Sequence, residues 1–228
     1  MHPARLDSPH RPRASRPALW TLAALTLANA VLLVLVAVRW DPLMDADEDV
    51  ARSLHRAAVA DPGLTHANRI LTDWVWDPWT MRLLCSLVVL YLLVRLRAAV
   101  LAVWAAVTCA AGTLLQQVLK TAVDRPRPVW PDPVDSAHYA AYPSGHAMTA
   151  TVVLGLVLWL FRRHDAPVTL YRAALAVTVV SVLGVGLTRI WLGVHWPSDV
   201  LGGWLLGALT VALSTITYDA RSARRGRP

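Results

Sequence analysis

The chain has 228 residues, of which 56% are hydrophobic and only 16% charged, with a formal net charge of +7. A globular domain carries about 25% charged residues, and here the deficit is local, because long windows contain no Asp, Glu, Lys or Arg. Such windows suit lipid as the solvent, which disfavours a soluble enzyme, a disordered chain and a nucleic-acid module and gives the positive charge a membrane reading. Cys85 and Cys109 lie inside apolar runs, which supports neither a disulfide framework nor a zinc site. Of 22 Lys and Arg residues only Lys120 is a lysine, which singles out its amine. The Ala- and Arg-rich usage suggests a GC-rich bacterial genome.

A bilayer core about 30 Å thick takes roughly 20 apolar helical residues, and six windows meet or approach that length. Residues 1–17 read as a basic, Pro-rich, disordered tail. The first span runs from Pro17 to about Val38. It is longer than the apolar core of a signal peptide and has no small-residue cleavage site before Arg39, so it reads as an uncleaved anchor. In segment 39–77, Asp45 and Asp47 are placed to cap a helix carrying Val50, Leu54 and Ala58 and ending before Pro62 and Gly63. A second short helix there carries Ile70, Leu71 and Trp74. The segment reads as an amphipathic connector on the membrane surface, with a substrate lid as the alternative.

The second span, about Pro78 to Val94, contains Arg82, which can snorkel toward headgroups. The third is uncharged from Ala98 to Leu119, the fourth runs from Ser144 to Phe161, the fifth from Val168 to Thr188 and the sixth from Val200 to Tyr218. Residues 219–228 form a second basic tail. The expected fold is an all-α integral membrane protein: a six-transmembrane-helix bundle over residues 18–218, with an amphipathic helical outer loop between helices one and two.

Orientation follows from the short basic loops. Arg5, Arg11, Arg13 and Arg16 precede span one, Arg95 and Arg97 follow span two, Arg162 and Arg163 follow span four, and Arg221, Arg224, Arg225 and Arg227 follow span six. With six spans these clusters share one side, which the positive-inside rule makes cytoplasmic, along with both termini. Arg52, Arg56 and Arg69 on the other side weaken the asymmetry without reversing it. Trp20, Trp40, Trp74, Trp76, Trp79, Trp130, Trp159, Trp191 and Trp196 fall near span ends, where indoles favour headgroups. The extracytoplasmic side receives segments 39–77, 120–143 and 189–199.

Three polar clusters occupy the ends of spans on that side. In the first, Lys120 ends span three, and Pro126 and Pro128 hold the chain around Arg127 out of helix. In the second, Tyr142-Pro143-Ser144-Gly145-His146 opens span four. Ser144 is a favoured N-cap, a helix start offers open amides to an anion, and Gly145 leaves them unobstructed with His146 alongside. In the third, Arg189 closes span five, and Pro197 suits the first turn of span six. Asp199 lies four residues after His195 and can share its face, so that a carboxylate fixes one imidazole nitrogen and leaves the other free to attack. Each cluster alone has a bland reading as a snorkelling cation, a capped helix or a structural His–Asp pair. Three cations, a helix start, two histidines and a carboxylate together on one side do not.

Lys120 with six residues before Arg127-Pro128, then Pro143-Ser144-Gly145-His146, then Arg189 with five residues before His195 and three more before Asp199, resemble the three-part signature of the phosphatidic-acid-phosphatase type 2 superfamily. That superfamily includes membrane lipid phosphate phosphatases, glucose-6-phosphatase and vanadium haloperoxidases. The resemblance covers residues from about 18 to 218. Members often have Ser before the third-motif Arg, where this chain has Thr188, which keeps the hydroxyl.

The resemblance implies His195 as nucleophile forming a phosphohistidine, Asp199 orienting it, and His146 as acid and then base. It implies Lys120, Arg127, Ser144, Gly145 and Arg189 as the phosphate-binding residues. Fixed cations supply the charge stabilisation that phosphoryl transfer asks for, so neither a metal nor another cofactor is expected, and Asp124, Asp132 and Asp135 read as loop solvation and capping. Polyprenyl pyrophosphate, phosphatidylglycerol phosphate and phosphatidic acid all suit a site at the membrane boundary. No nucleic-acid or protein partner is implied. Tyr142, His138 and Trp130 border the headgroup region, with loop packing as their simpler role. A lipid phosphotransferase using the same chemistry is the alternative, and a membrane transporter is the alternative of a different class.

Overall fold

The computed structural model describes residues 16–225. The expectation of a disordered first tail, with Arg5, Arg11 and Arg13, lies outside those residues, as do Arg227 and the side chains of Arg224 and Arg225. The chain forms α1 (Arg16–Ala37), α2 (Asp41–Ala60), α3 (Pro62–Ile70), a π-helical turn (Leu71–Val75), α4 (Pro78–Val94), α5 (Ala99–Val123), α6 (Gly145–Arg163), α7 (Val168–Trp191) and α8 (Pro197–Arg225). Among the described residues, six stretches are long and apolar enough to cross a membrane; α3, the π turn and α4 count together as the second.

Local chemistry sets the helix starts. Pro62, Pro78 and Pro197 open α3, α4 and α8, where a missing N–H costs little. The Asp61 and Asp77 side chains accept from the Leu64 and Trp79 amides at 2.8 and 2.7 Å, capping α3 and α4. At its far end α5 stops on Asp124 in the left-handed conformation, φ 42°.

The bundle is built around α6. Ten of its 19 residues are buried, against three of 22 in α1, so α6 is central and α1 peripheral. α8, α7, α4 and α5 surround α6, and α1 packs on α8. Helices in lipid gain little from apolar burial and associate through close packing. At Gly203 of α8 a Cβ would stand 2.7 Å from the Ser144 carbonyl oxygen, and at Gly207 2.7 Å from Thr151, so these glycines let α8 lie against the start of α6. Between α4 and α5 the free thiols Cys85 and Cys109 face each other with Sγ atoms 3.0 Å apart.

The structure departs from the sequence reading in four places. α2 begins at Asp41, so Asp45 and Asp47 lie inside it and do not cap it. Its buried face is Asp47, Ala51, His55 and Ala58. Val50 is exposed, because at a membrane surface an apolar side chain need not turn toward protein. Second, Lys120 stands within α5, which continues to Val123.

Third, residues 219–225 continue α8 as helix. Arg163 pairs with Asp219 at 2.7 Å and sits over Tyr218 at 4.7 Å, and Arg221 lies 5.0 Å over Trp104. This cationic and aromatic layer marks the end of the bundle away from the three polar clusters. Fourth, Trp20, Trp74 and Trp79 are exposed as expected of headgroup indoles, but Trp76 is buried in the core with Met81, Ala150 and Val185.

Candidate active site

The three clusters meet at one end of the bundle, where α5 and α7 end and α6 and α8 begin. His195 is 1% exposed. Its Nδ1 lies 3.3 Å from Asp199 Oδ2, and its Nε2 lies 3.1 Å from Arg127 Nη1. A guanidinium only donates, so Nε2 is an acceptor and Nδ1 carries the proton toward Asp199. Nε2 therefore holds the lone pair, but it is not free: the nearest donor, Arg127, already occupies it. Arg127 is fixed by the carbonyls of Val194, Tyr139 and His138, at 2.5, 2.9 and 3.0 Å. Burial and then Arg189 push its guanidinium down to about 10.

Lys120 donates to the Ala140 carbonyl at 2.5 Å and is buried in the last turn of α5. Arg189 is buried in the last turn of α7. Its Nη1 stands 3.8 Å from Asp135 Oδ2, and its Nε has no hydrogen-bond partner. Asp135 thus faces a site cation as well as capping the Ser136 amide at 2.7 Å. Burial first, then Arg127, Arg189 and Lys120, hold the His195 imidazole well below its ordinary value. Asp199 does not reverse this, because its other oxygen is taken by a guanidinium.

That guanidinium belongs to Arg125, which sequence reasoning passed over although it lies within the first cluster. Arg125 Nη1 donates to Asp199 Oδ1 at 2.7 Å and to Ser198 Oγ at 2.6 Å, and Nη2 donates to Asp47 Oδ2 at 2.7 Å. The Ser198 amide donates to Asp47 Oδ1 at 2.8 Å. All four residues are at most 7% exposed. The Trp196 amide donates to Asp199 Oδ2 at 2.9 Å. Arg125 was legible only as a second arginine in a short run. Asp47 was legible only as a capping acid at the start of an amphipathic helix.

The α6 start differs in detail from expectation. Ser144 occupies the N-cap position but makes no side-chain cap, and its fully buried hydroxyl has no partner. Its amide donates to the Asp199 carbonyl at 2.9 Å, which joins the two helix starts. The first backbone bond of α6 is from the Met148 amide to the Ser144 carbonyl, so the Gly145, His146 and Ala147 amides stand outside the ladder. At Gly145 a Cβ would come within 2.7 Å of Gln116 Nε2, so the missing side chain makes room for that amide.

His146, in the first turn of α6, has Nε2 3.8 Å from Asp77 Oδ2, a second acid not anticipated. Of the loop residues, Trp130 stacks on His55 at 4.4 Å and donates to the Gly193 carbonyl, and Tyr142 packs with Leu32 and Val36. Both are packing elements. His138 contributes a carbonyl to Arg127. Among the described residues, no group of three or more His, Cys, Asp or Glu side chains is placed to hold a metal ion.

The family model described as the PAP2 superfamily matches residues 101–223, which hold all three clusters. The chain belongs to the PAP2 superfamily. A PAP2 relative, phosphatidylglycerophosphatase B of Bacillus subtilis, is 36% identical over 98 residues, covering 42% of this chain and 47% of its own. Lipid A 1-phosphatase of Rhizobium etli is 32% identical over 114 residues, 46% of this chain and 45% of its own. Undecaprenyl-diphosphatase of Sulfolobus acidocaldarius is 32% identical over 89 residues, 37% of this chain and 34% of its own. The chain spans less than half the length of these curated PAP2 relatives. The fold matches the crystal structure of a transmembrane PAP2-type phosphatidylglycerolphosphate phosphatase from Bacillus subtilis. The TM-score is 0.79 at 22% identity, over 91% of this chain and all of that one.

Proposed function

We propose that the chain is a multi-pass membrane phosphatase that hydrolyses a lipid phosphomonoester or pyrophosphate through a phosphohistidine. The carrying observation is the buried imidazole of His195, held by Asp199 on one nitrogen and facing Arg127 with the lone pair of the other. Phosphoryl transfer asks for an in-line nucleophile and for positive charge around the equatorial oxygens. Lys120, Arg127 and Arg189 supply that charge, with the Ser144 hydroxyl and the open amides of α6 as neutral donors.

When the substrate's phosphoryl oxygens draw Arg127 Nη1 off the imidazole, Nε2 of His195 attacks phosphorus as the bond to the leaving oxygen breaks, and His146 donates the proton that oxygen needs. His146 then takes a proton from water, whose oxygen attacks the phosphohistidine and releases inorganic phosphate and free His195. Asp77 faces His146 as its carboxylate partner. Residues 18–218 form the catalytic domain, with basic tails on either side. Arg95, Arg97, Arg162, Arg163 and Arg221 fall at the bundle end opposite His195, which supports a cell-membrane protein with cytoplasmic termini and an extracytoplasmic site.

The relatives' substrates support a lipid phosphate or pyrophosphate as the substrate class. The test is phosphate release by purified protein in mixed micelles from phosphatidylglycerol phosphate, phosphatidic acid and polyprenyl pyrophosphate, with and without EDTA. Wild type is expected to release phosphate from at least one lipid, undiminished by chelation, and His195→Ala from none. Turnover by His195→Ala would remove the nucleophile assignment, and inertness of wild type toward every lipid would remove the activity.

A further inference from the structure

The protein's two cysteines lie 24 positions apart on different helices, yet their Sγ atoms are 3.0 Å apart. A disulfide bond is about 2.05 Å long, so about 1 Å of approach separates the pair from bonding. Both cysteines are partly buried residues that line a groove of about 470 Å³ between α4 and α5. Ser86, Ala106 and Ala110 line the same groove, and such small side chains let the two helices approach closely. Arg82, Cys109 and Thr113 also border a smaller pocket that reaches Met148 and Thr149 of α6, the turn after His146. Cys109 thus also touches the space between α5 and α6.

We infer that Cys85 and Cys109 are a redox pair that closes to an intramembrane disulfide between α4 and α5. In the oxidation both thiols lose their protons, the Sγ–Sγ bond forms, and two electrons and two protons pass to a lipid-soluble quinone, giving the quinol. A dithiol returns both cysteines to thiols and is itself oxidised to a disulfide.

The bond acts on α4, which packs against α5 and α6. Only Met81 and Leu92 of the 17 residues of α4 are buried, but Asp77 at its start stands 3.8 Å from His146. Cys85 lies eight residues beyond Asp77, about 12 Å along the axis. The disulfide therefore pins the helix that presents Asp77 to His146. This inference stands on sulfur geometry and does not require the proposed reaction.

The test uses full-length protein in lipid nanodiscs, treated with the diazene diamide, which takes up two electrons and two protons to become a hydrazine. Diamide is then removed, the chain is dissolved in SDS with N-ethylmaleimide, and its mass is measured. Untreated protein is expected to carry two maleimide labels and treated protein none, with a cross-linked Cys85–Cys109 peptide and a Tm several degrees higher. Cys85→Ser and Cys109→Ser should each keep one label after diamide. The wild-type labelling and the linked peptide decide the matter even if a serine variant folds poorly. Two labels surviving on treated wild type would overturn the pairing, as would loss of the label from the single variants, which assigns oxidation to contacts between chains.

Discussion

Removing the guanidinium of Arg125 tests how far the site depends on a residue that contacts Asp199 and Asp47 rather than His195 itself. Arg125→Met leaves Asp47 and Asp199 buried at 2% and 0% exposure, with only amides, a hydroxyl and His195 as partners. Breaking a buried ion pair costs about 3–5 kcal/mol, a large share of a folded protein's typical 5–15 kcal/mol, so a pronounced drop in Tm is expected. The catalytic loss is separable. Asp199 forfeits one charge-assisted hydrogen bond at 2.7 Å, worth about 1.5–3 kcal/mol, which at about 1.36 kcal/mol per tenfold predicts a kcat lower by roughly 10–160-fold. Arg125→Met combined with Asp47→Leu removes a cation and an anion together. It should restore only part of the Tm, because one of the two carboxylates that Arg125 neutralises is gone while Asp199 stays buried without its cation, and kcat stays low because Asp199 still lacks its partner. Thermal unfolding and phosphate release on the same preparations check both. Recovery of kcat to near wild type in the double variant would refute the reasoning, since Arg125 would then merely balance Asp47.

Three further outcomes follow from the site. His146→Ala should slow lipid phosphates with alcohol leaving groups by about 10²–10⁴-fold and activated aryl phosphates far less; an equal loss on both would exclude its acid role. Lys120→Arg should lower kcat/KM at least tenfold, because a planar fork does not fit where a compact ammonium donates to the Ala140 carbonyl; wild-type kinetics would show that the lone lysine has no special role. The His195 imidazole is held below its ordinary value, so the unfolded chain gains a proton that the folded site refuses as pH falls below about 6.5. Stability should then decline from that pH downward, by up to about 1.4 kcal/mol per pH unit, while the acid limb of kcat/KM lies below 6.5. A His195→Gln variant that shows the same decline in Tm would assign it to another group.

The six spans were legible because charge-free windows of membrane length have few other readings, and the three clusters were legible because each sits at a proline- or glycine-marked helix end. What the sequence hid is long-range pairing. Asp47 and Arg125 are 78 positions apart, and neither their spacing nor their surroundings announces a contact. The face of α2 was legible only in part. Of the apolar positions Val50, Leu54 and Ala58, Ala58 is buried and Leu54 packs against Ala147, Ile190 and Val200, but Val50 faces outward and the buried face also takes in Asp47, Ala51 and His55. Arg125 stood in plain view between Asp124 and Pro126, and only its neighbours Lys120 and Arg127 fit the spacing being read.

The tie from Asp47 to Arg125 and Ser198 bears on how small a working unit could be. Residues 101–223, which the family model matches, carry every signature side chain, and a truncation to that stretch looks self-sufficient on paper. It would discard α2 and leave Arg125 facing a gap where a carboxylate should be, with the backbone of Ser198 loosened beside it. The segment between the first two spans is thus a buttress for the reaction centre, and chimaeras that exchange it between superfamily members need a matching acid at its inner face.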